Sequence, residues 1–411
     1  MTEKQQIQMN EIELFFNKYN NKITKGNAQQ VVDNFLSNFS NWKNIVGFIF
    51  GDKDGEVEYG NVLIIFSSAI SELNPIKEGV INTLDREIQE YENKVKNMSN
   101  IKLALYFNLG ICWHKLGSLY DNFAVDAFKK FIYYQLTLSN NTSYGSLTCY
   151  SFRSCSKFLF QSLINDSLNL SSPTTFNDIF DCPIIELMNN EDKVSKLIRE
   201  AYLSGVKVAC FVKNEKLPYT NENRDDIIRD DKKNERDEEE YLNELMWAHY
   251  SDSHNGICLK YKFPSNITTT GSDSKDYVAY FKDVEYTSDL KKYSKQNSIN
   301  TKDAFFVKGE AWKYENELRL LYYNPINRDS HISLPISNCI EAVYFGVKCS
   351  DKDKQTIKNI LKDRKCISYK NQWTGEKTEE IKEEKDIEFY QMKVDEIQFG
   401  QITAIKIENF E

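Results

Sequence analysis

The sequence predicts a two-part, multidomain fold: an all-α helical region over residues 1–145, followed by an α+β domain over residues 146–411. Three observations predict it. Through the first third of the chain, apolar residues recur at three- and four-residue spacing, the period of a helix with one buried face. A polar, turn-rich stretch, SNNTSYGS at 139–146, ends that pattern and reads as a linker. Beyond it, short apolar runs of strand length alternate with helical stretches, as mixed α and β domains require.

The helical elements come first. Val31, Phe35, Phe39 and Trp42 share one helix face, and so do Leu84, Ile88 and Tyr91. Residues 101–138 read as two amphipathic helices that meet at Gly117-Ser118. This stretch resembles a tetratricopeptide repeat. Leu109-Gly110 and Trp113 match the first helix, Gly117 the turn, and Ala124, Phe128 and Phe131 the second helix. Small residues at Gly110 and Ala124 let two helices approach closely. The connecting loop is about two residues longer than in the usual repeat and the terminal proline is missing. The resemblance implies a groove for a protein or peptide partner; a plain helical packing domain is the alternative.

The α+β domain follows. Strands are expected over 147–152, 167–171, 206–212, 256–263, 278–286, 318–323, 340–346 and 402–407. Helices are expected over 156–165, 193–204, 242–250, 304–312 and 352–364. In residues 221–240, 10 are acidic and 5 basic, so an exposed, solvated insertion is expected there. The run EKTEEIKEEKD at 376–386 reads as a charged loop.

Composition narrows the function classes. With 52 basic against 61 acidic residues, the net charge of −9 gives no global attraction for nucleic acid, and only a local basic patch remains open. The nine cysteines are scattered, odd in number and without a CxxC pair, which favours reduced thiols and a cytoplasmic protein. The N-terminal residues lack a signal-peptide pattern. Near the N-terminus the longest apolar run is 62–66, far short of the ~20 residues of a membrane span.

Four segments after residue 147 are dense in Trp, Tyr, His, Arg and Glu at turns and element ends. They are 150–181, 246–263, 305–322 and 342–347 (AVYFGV), and they hold Tyr150 and Arg153, the SSPTTFND run ending at Asp178, the MWAHYSDSHNGIC run at 246–258, and Lys308 with Trp312, Tyr314, Glu315, Glu317 and Arg319. Their order and spacing over about residues 147–350 resemble the family known as domain of unknown function 2971. One departure is Ile179, where that family usually has proline.

The same domain also resembles ADP-ribosyltransferases, which have a split sheet and three key places. Arg153 stands at the end of the first strand, Ser171-Ser172 at the end of an inner strand, and Glu315-Asn316-Glu317 at a late one. The resemblance implies NAD as substrate, with no bound cofactor. A guanidinium offers a fixed fork to a pyrophosphate, which suits Arg153. Tyr250 or Trp247 would stack on nicotinamide. Glu317 would stabilise the oxocarbenium-like state and Glu315 would take a proton from an acceptor. His249, near a helix end, is a further general-base candidate or a structural residue. Ser171, Asn177, Asp178, Lys308, Trp312 and Arg319 complete the expected ligand-binding set.

Bland alternatives stand beside these roles. Arg153 would form a buried ion pair with Glu317 or Asp178. Glu315, Glu317 and Arg319 alternate along one strand, so they share either a polar cleft or an exposed charge ladder. No metal site is expected, because His249, Asp252 and His254 have no second ligand cluster and His331 is remote. Neither GxxxxGK[ST] nor GxGxxG occurs, which argues against P-loop and Rossmann chemistry. GxSxG and HExxH are also missing.

These expectations compose a cytoplasmic effector of toxin or phage-defence type. Its helical domain would recognise a protein partner, and its C-terminal domain would act on a nucleotide-type small molecule, without a membrane and with nucleic acid only as an acceptor. One alternative is a non-catalytic binding module. Another is a metal-independent nuclease or phosphodiesterase using His249 and Arg153, against which the net negative charge argues. Catalysis predicts that Arg153, His249, the glutamates and the 177–178 loop line one open cleft; a binding or structural role predicts that they pair off in a closed core.

Overall fold

A computed structural model of the chain describes residues 3–49, 53–95, 98–139, 147–176, 178, 181, 192–213, 243–263, 277–289, 303–326, 329–336, 338–373, 378–394 and 401–408. Residues 140–146 of the 139–146 linker, the 221–240 insertion and Asn177 lie outside these described residues, while Ser139 ends the last helix of the N-terminal region.

The N-terminal region is helical. Its helices are α1 (Glu3–Tyr19), α2 (Ala28–Ile49), α3 (Lys53–Glu72), α4 (Glu78–Lys94), α5 (Ser99–Lys115) and α6 (Asp121–Ser139). Helices α5 and α6 pack closely after a short turn at Ser118–Tyr120. Gly110 makes that contact possible: a Cβ there would lie 2.5 Å from the Phe128 ring. Near the turn, Trp113 stacks on Phe123 at 4.9 Å between ring centres.

The sheet-rich region begins with β1 (Leu147–Arg153), α7 (Lys157–Asn165), β2 (Ser167–Ser171), α8 (Lys193–Gly205), β3 (Val206–Lys213), α9 (Glu244–Tyr250) and β4 (Ile257–Phe263). It continues with β5 (Val278–Asp283), β6 (Glu285–Thr287), β7 (Val307–Gly309), β8 (Glu317–Tyr323), β9 (His331–Pro335), β10 (Ile340–Phe345), α10 (Asp351–Leu361), β11 (Lys365–Trp373), β12 (Thr378–Asp386), β13 (Glu388–Val394) and β14 (Ile402–Lys406). The main sheet is ordered β14-β13-β10-β4-β1-β3-β2-β9, with β8 on the other edge of β3 and β5 beyond β8.

That sheet splits at β3. Strand β3 pairs with β8 over its whole length, Val206↔Tyr323 to Val212↔Glu317. Its second edge therefore serves two partners. Strand β1 takes Val212 and Lys213, and β2 takes only Val208. Between them, residues 209–211 of that edge have no strand partner among the described residues. Strand β1 parts from β3 beyond Tyr150 and stays with β4 as far as Arg153↔Ile257.

Alternation along the strands sorts the core. Leu318, Leu320 and Tyr322 of β8 join the face covered by α7 and α10, through Leu159, Leu163, Ile357 and Leu361. The opposite face of β8 carries Glu317, Arg319, Leu321 and Tyr323. Leu321 and Tyr323 pack in a cluster with α6 and α8 that runs on through the helical region as far as Ile12. The Tyr323 hydroxyl donates to Lys129 O of α6 at 3.0 Å, and the Tyr202 hydroxyl to Gln135 Oε1 at 2.8 Å. The helices and the sheet thus share one hydrophobic cluster. Helix α9 covers the β1 side of this face, where Trp247 meets Phe152 edge-on at 5.3 Å.

Three expectations are corrected. Residues 304–312 are not one helix: 3-10 turns at Asp303–Phe306 and Glu310–Glu315 flank β7, which pairs parallel with β6. Tertiary pairing overrides the local helical spacing there. The 278–286 run divides at Val284 into β5 and β6, which belong to different sheets. The charged 376–386 run contains β12, paired with β11 from Lys365↔Asp386 to Trp373↔Thr378.

Candidate functional site

The gap in the sheet opens into a cavity of about 470 Å³. One wall is the free end of β1, Tyr150 to Arg153. The other is Cys210, Phe211 and Val212 of β3 with Glu317 of β8 beside them. Helix α9 contributes Met246 and Tyr250, the 3-10 turn before β8 contributes Trp312 and Glu315, and the loop after β2 contributes Phe176, Asp178 and Asp181. The cavity thus lies where neither α9 nor α8 covers the polar half of β8.

A buried ionic cluster forms its floor. Arg319 is fully buried; its Nε donates to Glu317 Oε1 at 2.7 Å and its Nη2 to Glu317 Oε2 at 3.0 Å. The same Nη2 reaches Asp181 Oδ1 at 2.7 Å, and Nη1 donates to Phe305 O at 2.8 Å. Lys308 Nζ donates to Glu315 Oε2 at 2.5 Å and Glu317 Oε2 at 3.3 Å, and stands 3.6 Å from Asp181. The Tyr250 hydroxyl donates to Glu315 Oε1 at 2.5 Å. Three carboxylates, Asp181, Glu315 and Glu317, therefore share two cations, and one formal negative charge is left over.

The two glutamates are driven apart in acidity. Burial raises both, because the charged form loses water. At Glu317, Arg319 and Lys308 overcome burial and hold the carboxyl at about 2. At Glu315 burial prevails over Lys308 and Tyr250, and the carboxyl sits above its ordinary range. Burial lowers Lys308, but its three carboxylates more than reverse this and raise it.

Local sequence explains these placements. Asn316 adopts a left-handed backbone, φ 43, so Glu315 ends the 3-10 turn and Glu317 starts β8. The two glutamates do not share a strand, yet Lys308 bridges them. The turn from α9 to β4 passes through three left-handed residues, Asp252, Ser253 and His254. Such residues cost ~1–2 kcal/mol each. Hydrogen bonds hold the turn: Ser251 Oγ to Trp247 O at 2.5 Å and Gly256 N to Ser251 O at 2.7 Å. Gly256 is required, since a Cβ would lie 2.1 Å from Arg153 O.

Of the sequence-derived residues, Arg153, Asp178, Tyr250, Lys308, Trp312, Glu315 and Glu317 come together in the cavity lining. Arg319 lies directly behind Glu317, and Trp247 is wholly buried behind Phe152. Ser171 pairs with Val208 and His331 and is outside the lining. His249 is exposed beside Tyr250 and Tyr314 and also lies outside it. Arg153 does not pair with Glu317 or Asp178: its Nε donates to Ser151 Oγ at 3.0 Å, and among the described residues it forms no ion pair. Glu317 pairs with Arg319 and Lys308 instead. Asp181 and Cys210 were not singled out by sequence. The spacing of Asp181 from Arg319 gives no local signal, and Cys210 sits in an apolar strand.

Among the described residues, no group of three His, Cys, Asp or Glu is arranged to hold a metal ion. No described helix is long and apolar enough to cross a membrane. Residues 246–320 match the family described as protein of unknown function, DUF2971. That span runs from α9 through most of β8 and holds Tyr250, Lys308, Trp312, Glu315, Glu317 and Arg319. No curated protein and no solved structure matches the chain.

Proposed function

We propose that the split-sheet cavity binds NAD and cleaves its nicotinamide–ribose bond, in the manner of an ADP-ribosyltransferase or an NAD hydrolase. One observation carries the reading: Arg153 and the Glu315/Glu317 pair line the same cavity, at the place where β1 leaves β3. Arg153 has a guanidinium fork to offer a pyrophosphate. Trp312, Tyr150 and Phe176 supply aromatic faces for the base and nicotinamide rings. As the glycosidic C–N bond breaks, its electron pair leaves with nicotinamide, and positive charge grows on the ribose. The ionised Glu317 lies on the floor to stabilise that charge. An oxygen nucleophile, water or an acceptor hydroxyl, then bonds to the anomeric carbon and gives its proton to Glu315, whose raised pKa suits the task. The helical region serves in this reading as the recognition module for a protein trigger.

A second reading is favoured by the saturation of Glu317, whose two oxygens are already held by Arg319. A carboxylate so neutralised stabilises new positive charge less well, which suits a site that binds a nucleotide without turnover. Nicotinamide release by the purified chain separates the two. The first reading expects release that is abolished in Arg153→Ala and Glu317→Gln variants that remain folded. A thermal shift with NAD but no release supports the second. Neither release nor shift, with candidate protein triggers included, overturns both.

A further inference from the structure

Arg153 reaches the cavity from the side of the sheet opposite the ionic floor. Leu147 and Cys149 of β1 join the core under α7 and α10, while Tyr150 and Phe152 join the cluster that holds Trp247 and Val212. Alternation along β1 places Ser151 and Arg153 on the side of Leu147 and Cys149. Glu317 and Arg319 of β8 stand on the other face, since Leu318 and Leu320 take the α7 side. The split at β3 joins the two sides, so Arg153 and Glu317 line one cavity. The guanidinium and the carboxylates thus meet the ligand space from opposite faces of the sheet.

Two contacts fix Arg153. Its backbone pairs with Ile257 of β4 and abuts Gly256, whose missing Cβ permits the approach. Its side chain is held by Ser151, whose Oγ accepts from Arg153 Nε at 3.0 Å. Ser151 is 3% exposed and lines the same cavity, whereas Arg153 is half-buried. With Nε engaged, the remaining donors of the guanidinium are those on Nη1 and Nη2, its end-on fork. An end-on fork matches two oxygens of one anionic group, such as a phosphate. Without the Ser151 tether, the long side chain would keep rotamer freedom in the empty cavity and lose it on binding, which weakens affinity.

We propose that Ser151 is a positioning residue: its hydroxyl, through Nε, holds the Arg153 fork end-on for the pyrophosphate of the cavity's ligand. The inference rests on the reading above for the class of anion alone, and requires neither nicotinamide nor bond cleavage. Ser151 sets affinity for the ligand's phosphates and leaves the chemistry at Glu315 and Glu317 unchanged. The same tether makes lysine a poor substitute for Arg153, because an ammonium has no Nε to hold and no planar fork to present.

ADP-ribose keeps the pyrophosphate and lacks nicotinamide, so its binding to the full chain, measured by calorimetry, reads this subsite without turnover. Ser151→Ala is expected to weaken binding about tenfold, the loss of one hydrogen bond to a charged group. Ser151→Thr should retain affinity, and Arg153→Ala and Arg153→Lys should each weaken it at least as far as Ser151→Ala. Because Ser151 acts through Arg153, Ser151→Ala should cost nothing more once Arg153→Ala is in place. If Ser151→Ala does not fold, Ser151→Cys, close in shape but a weak acceptor, carries the comparison. In NAD cleavage, Ser151→Ala should raise KM and leave kcat as it is. Unchanged affinity in Ser151→Ala, or losses that add in the double variant, would overturn the proposal and leave the NAD reading standing. Coupled losses of ADP-ribose affinity in a chain that never releases nicotinamide would sustain the role of Ser151 and defeat cleavage. A wild-type chain that does not bind ADP-ribose overturns the proposal whether or not NAD is cleaved.

Discussion

Replacing Arg319 by methionine tests whether the ionic floor of the cavity is held as a unit. Methionine fills much of the volume but leaves Glu317 and Asp181 buried, with Lys308 as their nearest cation at 3.3 and 3.6 Å. Breaking a buried pair on one side costs about 3–5 kcal/mol. Acidity gives a second route to the magnitude. Glu317 sits at about 2, against an ordinary value of 4.5, which amounts to about 3 kcal/mol of stability. Because the folded-state value is depressed, that stability is complete above the unfolded pKa and is lost as pH falls toward the folded one. Arg319→Met should therefore lose about 3 kcal/mol near neutral pH, and the deficit should shrink by about 1 kcal/mol at a pH one unit below the unfolded pKa. Urea unfolding at a series of pH values measures both. A deficit under about 1 kcal/mol, or one that does not change with pH, refutes the cluster as the source of the effect.

Three further outcomes follow from the same geometry. Glu315→Gln should show the opposite pH trend: the raised Glu315 contributes stability below the unfolded pKa and loses it as pH rises, so the variant gains on the wild type between acid and neutral pH in the same unfolding series. Tyr250→Phe removes the hydroxyl that favours ionised Glu315, so the acid limb of the proposed NAD cleavage should move to higher pH; an unmoved limb would show that Glu315 does not titrate in the rate. Gly110→Ala should destabilise the chain by up to about 2 kcal/mol, because overpacking against Phe128 costs about 1–3 kcal/mol and the gain in helix propensity offsets only ~1 kcal/mol of it. Adding Phe128→Leu should recover most of that loss, as measured by a double-mutant cycle.

Periodicity made the strongest elements legible. Strand β3 is read from 206–212 because it is buried on both faces and is apolar apart from Lys207, and α7 because Ser156 caps it by accepting from Leu159 N. Strand β12 escaped because a two-stranded ribbon with Lys365, Lys382, Glu384 and Asp386 exposed has little apolar alternation to read. The 304–312 stretch misled because Phe305, Lys308 and Trp312 have helical spacing by coincidence; the pairing of Lys308 with Tyr286 is a contact between distant segments. Within the candidate site, residue types drew attention to Arg153, Glu315 and Glu317, but the partners of Glu317 were not legible. Arg319 lies two positions from Glu317 and reads as strand alternation, while Asp181, the other carboxylate held by Arg319, is 138 residues from that arginine.

The hydrophobic cluster shared by the helices and the sheet has a consequence for how such a chain can be cut or recombined. Val206, Val208, Leu321 and Tyr323 have α6 and α8 as their cover. A fragment beginning after the helical region would present that apolar face to water and would be expected to self-associate. The helical region is therefore not an accessory that can be swapped while the sheet stands alone. Any exchange that alters α6 must preserve the surface that receives Tyr323 and Tyr202, so recombination between relatives should tolerate breakpoints within the first helices far better than breakpoints beside α6.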